Sequence, residues 1–449
     1  MKTEPTFEAA SKIKRQVFFL DQWKELKKGD GRKLHLLNSA YLILLPKKQD
    51  ALQVKDYRPI RLKHSFAKLI TKLMANRLAP FLDRMVSANQ SVFIRGRCIH
   101  DNFLLVQQMA RFLHRQREPR LLFKLDISKA FDSVSWSFLL EILSHLGFRQ
   151  RWHDVLCCLL RSASSRVLLN GVPGNWINHR RALRQGDPLS LLLFILVMDA
   201  LNALFSKAGE QPLLQPPSRR ALDCRVSLYA DDVALFIHPT PSDLSATRAI
   251  LEIFGDASGL RTNMQKSLIL PIRCQEEDLA TVAEILPGEV PAFPCRYLGL
   301  PLSTSKLTNA DLQPVVDRIA DLLPGWKAAL LSTADRSVLV KAVLTAVPIH
   351  MLIAMDVPKW LIRAIDKRRH SFLWKGRQEI QEGHCPVAWT RACRPPEFGG
   401  LGIHNLEVLS WALRMRWLWQ RKTEPQRPWS AFDFPVHPNA RALFAISVV

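Results

Sequence analysis

The sequence predicts an α+β protein in which short apolar strands alternate with long helices. Three observations support this. Apolar runs of strand length fall at residues 41–45 and 121–127, and a hairpin pattern spans 225–237. Apolar residues recur at helical spacing over 65–82 and about 102–116. Beyond about residue 305 the chain is mostly helical and rich in Trp.

The chain has 449 residues, enough for about two or three domains and a large core. With 48% hydrophobic and 23% charged residues it is neither a disordered nor a fibrous chain. Its formal net charge is +23 and is unevenly spread. Residues 1–150 hold 28 Lys and Arg against 13 Asp and Glu, a net of +15. A basic lobe on a more balanced body implies a polyanionic partner, and nucleic acid is the commonest. The eight cysteines show no CxxC pairing, which points to reduced thiols in an intracellular protein. His384, Cys385 and Cys393 fit no zinc-finger spacing. The start is polar and leads into no signal-type apolar core, so a nuclear or cytoplasmic protein with no membrane partner is expected.

Along the chain, residues 1–33 are charged and helix-prone. The strand at 41–45 is stopped by Pro46-Lys47-Lys48. The helix at 65–82 spaces Phe66, Leu69, Ile70, Leu73 and Leu78 along a stripe, and the next ends in a basic stretch with Arg111, Arg115, Arg117 and Arg120. In the strand 121–127, Leu121, Phe123, Leu125 and Ile127 share one face, with Lys124 and Asp126 on the other. Asp126 is either an edge-strand residue facing water or a cation ligand, because a buried carboxylate must be paired. Asp132 is expected to cap local backbone. Ser135-Trp136 opens a helix that Gly147 closes.

Arg184-Gln185-Gly186-Asp187-Pro188 precedes the most apolar helix, at 189–198. Asp187 suits an N-cap and Pro188 the first helical position. Gly186 permits close backbone approach and Gln185 offers amide donors. The turn either only starts a helix or receives a nucleotide or template base. The apolar run is about half the length of a membrane span and is ended by Asp199, which makes it a buried helix. A linker is expected at 208–223, with Gly209, Pro212, Pro216 and Pro217. Asp231-Asp232 sits at the centre of the hairpin, its flanks almost wholly apolar. The pair is either solvated turn chemistry or, with Asp126, a three-carboxylate site for two divalent ions. In the last third, Trp326, Trp360, Trp374, Trp389, Trp411, Trp417 and Trp419 read as helix-packing core, and Arg363, Lys367, Arg368 and Arg369 as a basic face for a nucleic-acid backbone.

These residues resemble a known family. Leu125-Asp126 through Lys129-Ala130-Phe131-Asp132, Arg184 to Ser190, and Tyr229-Ala230-Asp231-Asp232 are similar to three successive core motifs of reverse transcriptases, and more narrowly of plant LINE-type (non-LTR) retrotransposon polymerases. Tyr57-Arg58-Pro59-Ile60, Asn89-Gln90-Ser91, Arg95-Gly96-Arg97 and Asp101-Asn102 resemble the fingers motifs. Ser258-Gly259-Leu260 through Asn263, Lys266 and Ser267 resembles the fourth palm motif, and Tyr297-Leu298-Gly299-Leu300-Pro301 the next. The resemblance covers about residues 34–420. Leu191 stands where most relatives have Pro.

The resemblance implies a right-hand polymerase. Its parts would be an N-terminal helical extension at 1–33, fingers with the first palm elements at 34–120, and the palm at 121–304. A helical thumb and connection-like region would follow at 305–420, then a tail at 421–449. It implies RNA-directed DNA synthesis on an RNA template from a DNA primer with dNTPs, using two Mg²⁺ ions or Mn²⁺ in their place. Asp126, Asp231 and Asp232 would be the metal ligands, and Lys266 would approach the triphosphate and assist the leaving pyrophosphate. Phe131 would exclude a 2′-hydroxyl, Gln185 and Gly186 would line the nucleotide pocket, and Arg58 and Lys68 would contact phosphates. No segment like the family's endonuclease or RNase H is recognisable. The alternatives are a catalytically inactive nucleic-acid-binding derivative and an RNA-dependent RNA polymerase, against which Phe131 speaks.

Overall fold

The computed structural model describes residues 38–63, 65–218, 224–322, 330–376 and 386–432. The expected helical extension at 1–33, Trp326 and the His384-Cys385 pair lie outside them, as does most of 421–449. Strands β1 (Ser39–Pro46) and β2 (Tyr57–Lys63) form an antiparallel pair. Helix α1 (Ser65–Leu78) follows, then α2 (Ile99–Gln116) and β3 (Arg120–Leu125). Next come α3 (Trp136–His145), α4 (Gln150–Arg161) and β4 (Ser164–Leu169), which runs parallel to β1. Short strands β5 (Val172–Pro173) and β6 (Ile177–Asn178) complete this first sheet.

Helix α5 (Pro188–Glu210) leads to the hairpin β7 (Val226–Tyr229) and β8 (Asp232–Ile237), then α6 (Pro241–Ser258) and β9 (Leu268–Ile272). A second sheet has the order β7-β8-β3-β9, antiparallel throughout. Both of its faces are buried. Leu121, Phe123, Leu125, Val233, Leu235, Ile237 and Ile269 enter one apolar cluster with α5 and α6. Leu122, Ala234, Phe236, Leu270 and Ile272 enter the other with α2. The face of strand 121–127 that carries Lys124 and Asp126 is also core at Leu122, because helices cover the sheet on both sides, and only its end at Asp126 is exposed.

Helix α1 ends four residues earlier than its apolar pattern suggests, as Pro80 cannot supply the next helical N–H. Its buried stripe is Ala67, Ile70, Met74, Ala75 and Leu78; Leu69 and Leu73 face outward. Asp199 does not end α5. The helix continues to Glu210, and the Asp199 carboxylate accepts from the Ser87 amide (3.1 Å) and hydroxyl (2.5 Å), which satisfies it within the helix. The linker thus begins at 211. By length and composition α5 could cross a membrane, and most of it is buried in the core. The cysteines among the described residues are free thiols.

Beyond β10 (Cys295–Tyr297) and β11 (Leu300–Leu302) the chain is helical. Helix α7 (Glu276–Ile285) lies before β10; after β11 come α8 (Asn309–Asp321), α9 (Thr333–Leu339), α10 (Ile349–Ala354), α11 (Lys359–Lys375) and α12 (Leu406–Thr423). Three expectations fail here. Arg369 is fully buried, held by Asp366 (2.7 Å), Thr345 (2.8 Å) and the His404 carbonyl (3.1 Å), so it is no part of the exposed basic face that retains Arg363 and Lys367. Trp417 is core as expected, whereas Trp411 and Trp419 are exposed. Residues 424–432 do not fray. Trp429 is fully buried and donates to Asp101 (2.8 Å), and Arg427 pairs with the same carboxylate (2.9 Å). That carboxylate also caps α2 by accepting from the Cys98 amide.

The helical region is tied to the hairpin β10–β11 by two histidines. His350 Nε2 lies 2.9 Å from the Leu298 carbonyl, and its Nδ1 lies 2.9 Å from His100 Nε2. The chain is satisfied when both rings are neutral, His350 donating to Leu298 and His100 to His350. Burial and the neighbouring His350 hold the His100 imidazole down at about 4. Because the unfolded ring titrates near 6.5, the fold binds fewer protons there than the open chain does. The stability from this group is fully present above pH 6.5 and is lost as pH falls toward 4, by up to roughly 1.4 kcal/mol per pH unit. Urea melts across that window are expected to show this slope, and His100→Gln should flatten it. His179, also held at about 4 by burial and by Arg61 and Arg184, adds to the same slope and survives the substitution. An unchanged slope in the variant would exclude His100 as a contributor.

Candidate active site

The β3–β8 register pairs Leu125 with Val233, and one step further sets Asp126 opposite Asp232. Directly opposed residues place their Cβ atoms about 4.5–5.5 Å apart. Asp231 belongs to the two-residue turn between β7 and β8, whose pairing closes at Tyr229 with Asp232. The sequence-predicted carboxylates therefore meet at one sheet end. Burial raises the Asp232 carboxyl above its usual range and Lys124 opposes that, while the charges of Asp231 and Asp126 push it further up. Among the described residues, no three carboxylate, imidazole or thiol side chains stand close enough together to hold a metal ion as they are placed. The donor set nevertheless fits a divalent cation: hard oxygen ligands that repel one another, Asp126 and Asp231 exposed and Asp232 half-buried.

The turn is shaped by its surroundings. Ala230 adopts φ 54°, a left-handed conformation that Ala rarely holds unaided. Its amide donates to Oε1 of Gln90 (3.4 Å), a fully buried side chain. Asn102, also buried, places its Nδ2 within 2.9 Å of the Asn89 and Leu228 carbonyls and 2.8 Å from the Ser227 hydroxyl. The segment 89–91 and the start of α2 thus brace strand β7. They were expected in the fingers, and their contacts are with the acid-bearing hairpin.

A loop braces the other carboxylate. Asn263 N donates to the Asp126 carbonyl (2.8 Å), Ser128 N to the Arg261 carbonyl (3.0 Å), and Asp126 N to the Ser267 hydroxyl (3.0 Å). Lys266 stands in this loop, exposed, one residue before the buried Ser267. Phe131 follows Asp126 through a turn in which Lys129 takes φ 47°. Its ring stacks on Phe194 of α5, centroids 4.4 Å apart and planes 22° apart, and its carbonyl accepts from Leu183 N (2.7 Å). That bond ties the Phe131 turn to the Gln185-Gly186 turn.

Gln185 and Gly186 are exposed, with Gly186 at φ 79°. Asp187 caps α5 by accepting from Leu189 N (3.1 Å), as expected, and Arg184 anchors the turn by donating to the Asn38 carbonyl (2.7 Å). Asp132 differs from expectation. Its carboxylate pairs with Arg61 of β2 (3.0 Å), joining the first sheet to the Phe131 turn. Arg58 on β2 and Lys68 on α1 are exposed and form no hydrogen bond or ion pair with the acidic cluster.

Gln90, Asn102 and Ser267 stood inside recognised motifs, yet their roles were missed. The available signal was a neutral polar residue beside apolar ones, which says nothing of its partner.

Residues 45–302 match the family described as reverse transcriptase (RNA-dependent DNA polymerase). The chain belongs to the reverse transcriptase family. Among relatives of this chain, the uncharacterized 149 kDa protein of transposon TX1 from Xenopus laevis is 29% identical over 81% of this chain and 27% of its own length. The retrovirus-related Pol polyprotein of the type-2 retrotransposable element R2DM from Drosophila melanogaster is 26% identical over 86% of this chain and 36% of its own. The chain therefore spans about a third or less of these curated relatives. Among solved structures, telomerase from Candida albicans in complex with a telomeric RNA fragment aligns with TM-score 0.41 and 13% identity, covering 84% of this chain and 62% of that one. The fold is α+β, and the reverse transcriptase match covers the whole four-stranded sheet and the first sheet from the end of β1 onward.

Proposed function

We propose that this chain is the RNA-directed DNA polymerase of a plant-type non-LTR retrotransposon. The observation that carries the proposal is the gathering of Asp126, Asp231 and Asp232 at the end of one doubly buried sheet, inside a reverse transcriptase match. Residues 34–120 would serve as fingers, 121–304 as palm and 305–420 as thumb and connection.

Asp126, Asp231 and Asp232 would hold two Mg²⁺ ions, or Mn²⁺ in their place. When bound, such a pair stabilises the attacking and leaving oxygens of an in-line displacement. The primer 3′-hydroxyl gives up its proton to solvent and attacks the α-phosphate of the dNTP, the α–β phosphoanhydride bond breaks, and pyrophosphate leaves. Lys266 donates a proton to the leaving group from its exposed loop. Gln185 and Gly186 receive the nucleotide and template base at the start of α5, and Arg58 and Lys68 draw the phosphates toward the fingers. RNA template and DNA primer lie along the basic side chains of the first 150 residues and of α11.

Primer extension on an RNA template with four dNTPs and Mg²⁺ tests the proposal. Elongation of the primer is expected, and a folded protein that adds no nucleotide would overturn it. Phe131, stacked on Phe194, would act as a steric gate. Phe131→Ala is expected to raise the NTP-to-dNTP incorporation ratio by roughly 10–200-fold, the range for reshaping an apolar pocket. An unchanged ratio would reject the gate.

A further inference from the structure

Ser267 is fully buried, although it follows an exposed lysine. Its hydroxyl donates to the Asn263 carbonyl (2.8 Å) and accepts from the Asp126 amide (3.0 Å). The Asn263 amide donates back to the Asp126 carbonyl (2.8 Å). Both backbone groups of Asp126 are thus committed to residues 263–267, and one of the two links runs through a side chain. Asp126 lies just past the ladders of β3, whose last pairs are Leu125 with Val233 and Lys124 with Leu268. Beyond them, this loop is what fixes the strand end.

We propose that Ser267 is a positioning residue that locks the Asp126 strand end to the Lys266 loop, so that the carboxylate and the ammonium keep one relative placement. The inference rests on the polymerase reading above. Main-chain links survive any substitution at 267, whereas the Ser267 link needs a group that donates and accepts at once. Ser267→Ala leaves the Asp126 N–H without its acceptor, and the strand end gains freedom at the point where the site demands sub-ångström placement.

The test compares wild type with Ser267→Ala, Ser267→Thr and Ser267→Cys. In primer extension, Ser267→Ala is expected to lower kcat roughly 10–100-fold, with KM for dNTP changed less than about threefold. Mn²⁺ titration followed by electron paramagnetic resonance, without nucleotide, should show affinity falling by a similar factor. Ser267→Thr keeps the hydroxyl and should recover most of kcat. Ser267→Cys keeps the shape but bonds weakly and should stay low. Wild-type kcat and Mn²⁺ affinity in Ser267→Ala would overturn the inference. So would a lowered melting temperature with kcat per folded molecule unchanged, since that is a purely structural role. Should wild type itself fail to extend a primer, the polymerase reading falls, and the Mn²⁺ titration still decides whether Ser267 positions Asp126.

Discussion

Asp231→Asn is expected to abolish primer extension and to leave the protein folded. The loss is expected to be at least roughly 10³-fold, or about 4 kcal/mol of transition-state stabilisation, because an amide oxygen cannot replace an anionic ligand where charge develops. Asp231 is exposed at the hairpin turn, so the substitution breaks no core packing. It also removes one of the two negative neighbours that push the Asp232 carboxyl up, so the melting temperature should hold or rise slightly. Asp132→Asn is the informative control. That carboxylate follows Asp126 by six residues and pairs with Arg61 on a half-exposed surface, where an ion pair contributes about 0–1 kcal/mol. Its variant should keep most of its activity. Retention of more than about a tenth of the wild-type rate in Asp231→Asn would remove Asp231 from the chemistry.

Gly259→Ala should unfold or severely destabilise the protein, by about 3–5 kcal/mol. Gly259 adopts φ 80°, and a Cβ there would lie 2.2 Å from the Ser133 carbonyl oxygen. That oxygen is backbone in the connection from the Phe131 turn to α3, and the same connection is bonded through Ser135 N to the Ser258 carbonyl (2.8 Å). Relief of the clash requires moving either α6 or the turn that carries Phe131. Gly147→Ala separates the two causes. Gly147 has φ 77° but open space where its Cβ would stand, so only the conformational cost of about 1–2 kcal/mol applies. Chemical denaturation of both variants measures the difference, and equal losses would refute the close approach at Gly259.

The carboxylates were legible because an acid in an apolar strand is an anomaly that chemistry must resolve, and Asp126 and Asp231-Asp232 were two such anomalies. Asp187 and Pro188 were legible for a local reason, since helix starts are written within four residues. Ser267 and Gln90 were not, because their partners lie far along the chain and a neutral polar side chain carries no periodic signal. The face of α1 was misread since its apolar residues fill two adjacent stripes and only packing on α5 chooses between them. Residues 424–432 have no helical or strand period at all. Their order comes from Asp101, a partner visible only after folding. Arg369 looked like one more basic residue on a helix until Asp366 and Thr345 enclosed it.

Strand β3 gives Leu121, Phe123 and Leu125 to one apolar cluster and Leu122 to the other. Neither cluster can open fully without stripping cover from that strand. The amide hydrogens of residues 122–124 should accordingly be among the slowest in the molecule to exchange with solvent, leaving only through global unfolding. The outlying sheet of β1 and β2, whose buried Ala40 belongs to neither cluster, should open on faster timescales without disturbing it. The acidic cluster is mounted on the portion of the chain that comes apart last.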